Sequence, residues 1–190
     1  LGSEHRVAGA PDESIFQPSW APDGSLYFVS DRSGFWNLYR WRDGATVAVY
    51  PAKRDFGRAQ WVFGLTTYAC LSAELLACTF VQDGQWRCGI LDTRTSALRE
   101  VALPYSELSY MCADAQYAYC VAAGPRSPDC IIRIDACSGS HEVIHQSGAA
   151  PVAERYLSQP QPITFPSAGG AQAHGFYYAP THETIPGPAG

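Results

Sequence analysis

The amino-acid sequence predicts an all-β protein: a partial β-propeller of about three four-stranded antiparallel blades, followed by an extended crossing segment. The apolar segments are short and rich in β-branched, aromatic and small residues, and none keeps a 3.6-residue apolar period over three turns. A period in the forties fits either a four-stranded blade or a helical repeat, and the strand character selects the blade. The period itself is an offset of 42 residues shared by three cysteine pairs: Cys70 and Cys112, Cys78 and Cys120, Cys88 and Cys130.

The first blade is predicted over residues 16–55. Its run "SWAPDGSLYFVSDRSGFWNLYRWRDGATVAVY" alternates short apolar strands with polar turns. Pro22, Asp23 and Gly24 predict a tight turn, because proline fixes φ and glycine accepts a positive φ. Asp43 and Gly44 predict a hairpin turn. This blade matches the later repeat more loosely, at an offset of about fifty residues.

The second and third blades are predicted over residues 59–105 and 106–150. Their centres are the apolar runs "LLACTFV" and "YAYCVAA", and each blade ends in a strand, a polar turn and another strand, as in "IRIDACSGSHEVI". We therefore divide the chain into a partial propeller, residues 1–155, and a segment 156–190 that holds a linker and one further strand.

Composition argues against several classes of protein. Hydrophobic residues make up 46% of the 190 residues and charged residues 16%, which indicates a folded chain. The formal net charge is −5 and no run of basic residues exceeds two, so we expect no nucleic-acid partner. The most apolar window contains Glu74, so we expect no membrane span. We separately expect a cytoplasmic location. The chain starts at Leu1 and ends in a Pro/Gly-rich run, and we expect it to be a piece of a longer protein.

The seven cysteines include no C-x-x-C pair, which argues against a zinc ribbon or a redox dithiol. Free cysteine packs as a small hydrophobic residue and is among the most buried residue types. We expect most of the seven to be reduced core residues, and disulfide pairing of some of them stays open.

The stretch "DESIFQPSWAPDGSLYFVSDRSGFWNLYR", residues 12–40, resembles the propeller domain of prolyl oligopeptidase-family serine peptidases, especially the acylaminoacyl-peptidase and dipeptidyl-aminopeptidase-like branch. Ala21 departs mildly from that pattern. The C-terminal stretch "YLSQPQPITFPSAGGAQAHGFYYAPTH", residues 156–182, is similar to the family's passage from the propeller into its α/β-hydrolase domain. The residues of the first stretch that match are Glu13, Gln17, Trp20, Asp23, Gly24, Asp31, Arg32, Trp36, Asn37 and Tyr39.

The resemblance implies a serine peptidase whose catalytic domain is not in this chain. In the family, a Ser-Asp-His triad hydrolyses peptide bonds through an acyl-enzyme, and the propeller caps the active site. The nucleophile elbow G-x-S-x-G does not occur in the 190 residues. Ser138 and Ser140 lie in a predicted turn, and His174 matches the family's crossing strand rather than its catalytic histidine. We therefore assign no catalytic residue.

Residues 141–145, "HEVIH", match the H-E-x-x-H pattern of zinc peptidases. That chemistry needs a helix, but two β-branched residues and flanking Ser-Gly turns favour the last strand of the third blade. In such a strand we expect His141 and His145 to share one face and Glu142 to point to the other. We therefore predict no metal site and no cofactor.

Glu13 is the candidate substrate-binding residue. In related exopeptidases, propeller carboxylates bind the free amino terminus of the substrate, and a carboxylate suits an ammonium group. The alternative is a local salt bridge or cap in a loop between blades. For Asp31, Arg32, Trp36 and Asn37 we expect packing between blades.

The predicted function is that of a non-catalytic propeller fragment of a serine peptidase. It would gate and select peptide substrates for an α/β-hydrolase domain of the same protein, and it would be inactive alone. The alternative is a non-catalytic TolB-like propeller that binds a protein partner, and a zinc peptidase is a third reading. An H-G-G-P loop and then G-x-S-x-G in the reading frame after Gly190 would support the serine peptidase.

Overall fold

The computed structural model describes residues 4–149 and 152–182, and strands joined by turns dominate it. Three antiparallel sheets of four strands follow one another along the chain, and a two-stranded sheet comes last. The predicted fold class, an all-β partial propeller with three four-stranded blades, is confirmed. Helical structure within these two ranges consists of two 3-10 turns, Glu154–Tyr156 and Ala168–Gly170.

The strands are numbered in chain order. The first sheet holds β1 to β4, which are Ile15–Trp20, Leu26–Ser30, Asn37–Arg42 and Ala45–Ala48. The second sheet holds β5 to β8, which are Tyr68–Cys70, Leu75–Gln82, Gln85–Asp92 and Ala97–Val101. The third sheet holds β9 to β12, which are Glu107–Ala113, Tyr117–Gly124, Ser127–Asp135 and His141–Gln146. The two-stranded sheet pairs β13 with β14, which are Pro160–Pro166 and Gln172–Tyr178.

Each four-stranded sheet is a meander in which neighbours in the sheet are neighbours in the chain. Successive loops of a meander lie at opposite ends of the strands, so the loops form two sets. We call each of these two ends an edge of the sheets. The first set, which we call the connection edge, includes the links between sheets and comprises residues 31–36, 49–67, 83–84, 102–106, 125–126 and 152–159. The second set, which we call the turn edge, comprises residues 21–25, 43–44, 71–74, 93–96, 114–116 and 136–140.

Two hairpins turn on Asp-Gly pairs. Asp43 and Gly44 have φ values of 51° and 82°, and Asp83 and Gly84 have φ values of 51° and 74°. Positive φ at both central residues matches the twist of the flanking strands, and aspartate followed by glycine tolerates it best. The hairpin predicted at Asp43 and Gly44 is confirmed.

Two hydrophobic cores lie on opposite faces of the second sheet. Strand β6 contributes to both of them, which explains why its sequence "LLACTFV" is apolar without alternation. The core shared with the first sheet includes Tyr27, Val29, Leu38, Leu76, Cys78 and Phe80. The core shared with the third sheet includes Ala77, Cys88, Ile90, Ala118, Cys120, Ile132 and Ile134.

Gln17 ties the inner strands of the first two sheets together. It lies in a β-bulge of β1, between Phe16 and Ser19, with φ of 48°. Its side-chain amide donates a hydrogen bond to the carbonyl of Tyr68 (2.7 Å) and accepts one from the backbone N–H of Thr67 (2.7 Å). The hydroxyl of Tyr68 donates to the carbonyl of Gln17 (2.5 Å). These bonds join β1 to β5 as a backbone pair would.

The 42-residue offset places each cysteine of the second sheet on the equivalent strand of the third. All seven cysteines lie within the described ranges and all are free. Burial raises the pKa of the Cys88 thiol to about 12, so this thiol stays protonated at neutral pH. The expectation that most cysteines are reduced core residues is confirmed for the four buried ones, Cys78, Cys88, Cys120 and Cys130.

The crossing segment is a hairpin where the sequence predicted one strand. Strands β13 and β14 pair from Pro160 opposite Tyr178 to Pro166 opposite Gln172. The chain reverses at two consecutive glycines with φ of 68° and 79°, a conformation that glycine adopts without strain. The remainder of the predicted segment, residues 183–190, lies outside the described residues.

Over residues 4–149 and 152–182, none of the helical elements has the length and apolar character that crossing a lipid bilayer requires.

Candidate functional site

Two neighbouring clefts open on the connection edge. The first has a volume of about 510 Å³ and lies between the loops of the second and third sheets and the β13–β14 hairpin. The second has a volume of about 740 Å³ and lies between the β2–β3 loop, the β4–β5 connection and the start of β7. Trp86, at the start of β7, lines both clefts. The two clefts therefore form one continuous surface around this indole ring.

Arg58 holds the β4–β5 connection against this surface. Its guanidinium carbon lies 3.9 Å from the ring centroid of Trp86, within the range of a cation–π contact. One terminal nitrogen forms an ion pair with Glu107 and donates a hydrogen bond to the carbonyl of Leu108 (2.5 Å). The Nε atom is buried and has no hydrogen-bond partner among the described residues. Arg58 thus joins the β4–β5 connection to the start of β7 and to the start of β9.

Large apolar side chains project from this edge. Trp61 is 83% exposed and Phe63 is 93% exposed, although both residues sit in a defined connection between sheets. Phe176 and Tyr178 line the first cleft from the hairpin and are about half exposed. Large exposed apolar patches of this kind mark sites where a protein or another ligand binds.

Gly57 allows the β4–β5 connection to pass close to the first sheet. A Cβ atom built at this position would lie 2.6 Å from Cε3 of the Trp36 indole. Any side chain at residue 57 would therefore displace Trp36, which lines the second cleft. The glycine is required by packing, since its φ is not in the left-handed region.

Glu13 lies between the N-terminal segment and the β2–β3 loop. One carboxylate oxygen accepts from Ser30 Oγ (2.5 Å) and from Arg32 Nη2 (2.5 Å). The other accepts from the backbone N–H groups of Gly9 (3.0 Å) and Ala10 (3.1 Å). Burial alone would raise the pKa of Glu13, but these donors outweigh it and lower the pKa to about 2. Glu13 is therefore ionised and fully hydrogen-bonded, and its contact with a substrate's amino terminus stays a prediction.

The polar and aromatic residues around the β2–β3 loop make internal contacts. Asp31 accepts a hydrogen bond from the backbone N–H of Ser14 (2.8 Å). The Arg32 guanidinium lies 4.8 Å from the ring centroid of Tyr39. The Asn37 side chain accepts from the N–H of Ala52 (2.7 Å) and donates to its carbonyl (3.0 Å). These contacts fix the loops of the first sheet.

The "HEVIH" segment forms strand β12, as predicted, but its faces differ from the prediction. Residue 143 pairs with Ile132 and residue 145 with Ile131, so one residue of β12 is bulged out of the ladder. Because paired residues share a face, His145 lies on the face of Ile131 and Glu142, while His141 lies on the other face. The expectation that both histidines share a face was wrong, since the bulge shifts the alternation by one residue.

Glu142 and His141 of the motif have different side-chain partners. Glu142 forms an ion pair with Arg133 on the neighbouring strand (2.7 Å). His141 packs edge-on against the ring of Tyr105, with centroids 6.0 Å apart. The described residues contain no cluster of three or more His, Cys, Asp and Glu side chains able to hold a metal ion.

Other sequence-level candidates are dispersed. Ser138 and Ser140 lie in the β11–β12 turn, where their hydroxyl oxygens are 2.8 Å apart and Ser138 also donates to Asp135. His174 lies in β14, with its Nδ1 3.0 Å from Thr164 Oγ1. The structure does not bring these residues together with Glu13.

Sequence reasoning missed the residues that shape the clefts, above all Arg58, Trp61 and Phe63. One signal was present: the run "WVF" is three consecutive apolar residues inside a long connection. Such runs in a loop indicate a functional surface when they are exposed. Their exposure depends on the tertiary structure.

Comparisons with known proteins agree with this architecture. No protein-family model and no curated protein matches the chain. A crystal structure of puromycin hydrolase matches 97% of the chain with 32% identity and a TM-score of 0.89. The structure of a puromycin-hydrolyzing peptidase of Mycobacterium tuberculosis matches 96% of it with 29% identity and a TM-score of 0.84. A prolyl endopeptidase structure matches 90% of the chain with 16% identity and a TM-score of 0.65, and the match covers 24% of the endopeptidase chain. At this identity the match supports the fold alone.

The chain spans 28% of the length of the puromycin hydrolase structure and 28% of the mycobacterial one. The puromycin hydrolase structure matches the three sheets of this chain over nearly its full length, with an identity near a third. This match agrees with the resemblance seen in residues 12–40 and 156–182. These matches support the identification of the chain as a β-propeller fragment of the prolyl oligopeptidase-family type.

Proposed function

We propose that the chain is the propeller part of a peptide hydrolase, and that its connection edge faces an α/β-hydrolase domain of the same protein. In this role the propeller gates and selects peptide substrates, and the hydrolase domain supplies the nucleophile. The proposal adds to this identification the surface involved.

The exposed aromatic surface of the connection edge carries the proposal. Trp61 and Phe63 expose most of their rings on the same edge as the hairpin residues Phe176 and Tyr178. Aromatic rings contribute most to an interface when they are covered, because each buries a large apolar area. The hairpin agrees with this placement, because Pro160 of β13 and the paired Tyr178 of β14 both line the first cleft.

The cleft beside this surface suits an extended peptide. It is about 510 Å³ in volume and is lined by aromatic rings, two glutamines, one carboxylate and several prolines. A site of this size with a few polar groups on apolar walls is typical of small-ligand binding. Peptides that pass the edge would contact Trp86, Tyr105 and Glu107.

The first experiment establishes the reaction. The reading frame that contains the chain is expected to encode an H-G-G-P loop and a G-x-S-x-G elbow after residue 190, and the full-length product should hydrolyse aminoacyl chromogenic amides. Puromycin is a second test substrate, because the matched hydrolases are named for it. The 190-residue chain alone should be inactive. A reading frame without the elbow, or a full-length product that binds a protein and hydrolyses neither substrate, would favour the TolB-like binding module.

The second experiment tests gating. In the full-length enzyme, W61A and F63A together should change the ratio of kcat/KM for a long peptide to that for a small aminoacyl amide by about tenfold, the effect of one or two lost apolar contacts. W20A is the matched control, since Trp20 is 66% exposed but lies at the opposite, turn edge. An equal change in both variants, or in neither, would remove the connection edge from the proposal.

We also propose a cytoplasmic location. All seven cysteines are within the described part of the chain and are free thiols, which fits a reducing compartment. Fractionation of cells that express the full-length protein is the direct measurement.

A further inference from the structure

A cavity of about 350 Å³ lies on the turn edge between the first and second sheets, far along the strands from the clefts described above. Three arginines and two carboxylates dominate its wall. The residues that line it are Asp23, Arg40, Arg42, Ala73, Glu74, Thr93 and Arg94.

Two of the three arginines have counter-charges. Arg42 forms an ion pair with Asp23 (2.7 Å) and a longer one with Asp43 (3.5 Å). Arg94 lies 3.9 Å from Glu74. Asp23 also accepts hydrogen bonds from the backbone N–H and the hydroxyl of Ser25, 3.0 Å each, which further satisfies its charge.

Arg40 has no such counter-charge. Its Nε atom is buried and has no hydrogen-bond partner, and no ion pair involves its guanidinium within the described ranges. A buried donor of a charged group that lacks an acceptor costs more free energy than a satisfied one, because water no longer solvates it. Among the arginines of this wall, Arg40 is thus the one whose charge is not balanced by a carboxylate of the described residues.

The backbone directs Arg40 towards the cavity. In the ladder of the first sheet, Arg40 pairs with Tyr27 on β2 and with Val47 on β4, so the three side chains share a face. Tyr27 packs in the core against the second sheet, and its hydroxyl donates to Thr93 Oγ1 in the cavity wall (3.4 Å). The stem of Arg40 is thus held between two sheets while its head borders the cavity.

We propose that Arg40 and this cavity bind an oxyanion, a carboxylate or a phosphate group. The two terminal nitrogens of the Arg40 guanidinium form a fork that matches two oxygens of such a group, and paired hydrogen bonds of this kind are among the strongest that arginine makes. Arg42 and Arg94 lie on the same wall and add positive potential, while Asp23 is neutralised by Arg42 and Ser25. The site is independent of the hydrolase proposal, because it lies at the opposite edge of the sheets.

The binding test follows the Nε–Hε signal of Arg40 in the NMR spectrum of the 190-residue chain. Titration with inorganic phosphate or with acetate, at constant ionic strength against chloride, should shift this signal saturably with a Kd of about 1 mM or lower. A larger effect of phosphate assigns the site to phosphate groups, and a larger effect of acetate assigns it to carboxylates. No saturable shift with either anion would overturn the proposal, and this readout needs no variant.

Substitutions of Arg40 then distinguish the effect of the guanidinium geometry from the effect of the positive charge. R40K keeps the positive charge but loses the fork, and should weaken binding about tenfold; R40Q should abolish it. R87Q is the control, since Arg87 is an exposed arginine that is paired with Glu100 (3.2 Å) outside the cavity. Unchanged affinity in R40Q, or equal loss in R87Q, would show that the anion binds elsewhere.

Discussion

Replacing Glu13 by glutamine tests whether this carboxylate fixes the N-terminal segment to the first sheet. The charged carboxylate accepts from Ser30 Oγ and Arg32 Nη2, both at 2.5 Å, and from two backbone N–H groups. Burial by itself raises the pKa of Glu13, yet the donors lower it from 4.5 to about 2. Glutamine keeps the shape but loses the charge, so E13Q should be less stable than the wild-type chain.

The magnitude follows from the pKa. One pKa unit corresponds to about 1.4 kcal/mol, so a fall from 4.5 to about 2 sets an upper limit of roughly 3.5 kcal/mol. Solvent reaches the partner, since the Arg32 side chain is 35% exposed, and screening reduces the expected loss to about 1–2 kcal/mol. The pKa is lower in the folded state than in the unfolded state. The stabilisation is therefore complete above about pH 4.5 and is lost as the pH falls towards 2.

The assay is urea unfolding of the wild-type chain and E13Q, followed by tryptophan fluorescence from neutral pH down to about pH 2.5. The difference in unfolding free energy should be largest at neutral pH and should shrink towards zero at the acid end. E74Q is the control, because Glu74 is 64% exposed and 3.9 Å from its partner, and should change stability by less than about 0.5 kcal/mol. A difference for E13Q that is independent of pH would refute the reasoning. A normal stability of E13Q together with a raised KM of the full-length enzyme for free-amino substrates would instead assign Glu13 to substrate binding.

Three further predictions concern packing. Gly57→Ala should destabilise the chain by about 1–3 kcal/mol in urea unfolding, because the new methyl group meets an indole ring, whereas Gly148→Ala, which meets nothing within 4 Å, should change it by less than about 0.5 kcal/mol. Ile132→Ala should cost about 2–5 kcal/mol, since Ile132 is fully buried, and a loss below about 1 kcal/mol would contradict the core assignment. Iodoacetamide should label the exposed Cys112 and Cys137 in the folded chain, as measured by mass spectrometry. Labelling should require unfolding at the buried thiols Cys78, Cys88, Cys120 and Cys130.

Local signals in the sequence determined the sheets well. The Asp-Gly pairs at residues 43–44 and 83–84 form hairpins because few other dipeptides accept two positive φ values. The apolar run of β6 indicated a strand, and the two cores show that this strand is buried on both faces. The 42-residue repeat of cysteines indicated equivalent strands, and each pair does occupy equivalent strands.

Features that depend on one extra residue or on tertiary contacts could not be predicted. The bulge in β12 moves His145 to the face of Glu142, and nothing in "HEVIH" distinguishes a regular strand from a bulged one. Arg58 and Trp86 lie far apart in sequence and meet only because two loops of different sheets share an edge. The environment of Glu13 was foreseen as one of two alternatives, and the contacts with Ser30 and Arg32 show the local salt bridge.

The position of the second sheet between the other two has a consequence for synthesis on the ribosome. The first sheet, complete at Ala48, has its apolar face of Tyr27, Val29 and Leu38 covered by residues of β5 to β7. At a translation rate of about 5–20 residues per second, this apolar face stays uncovered for several seconds, until the residues of β5 to β7 have been synthesised. The nascent chain is thus most exposed to misassociation during this interval. Slower codons between residues 49 and 67 should lengthen it and lower the yield of folded protein.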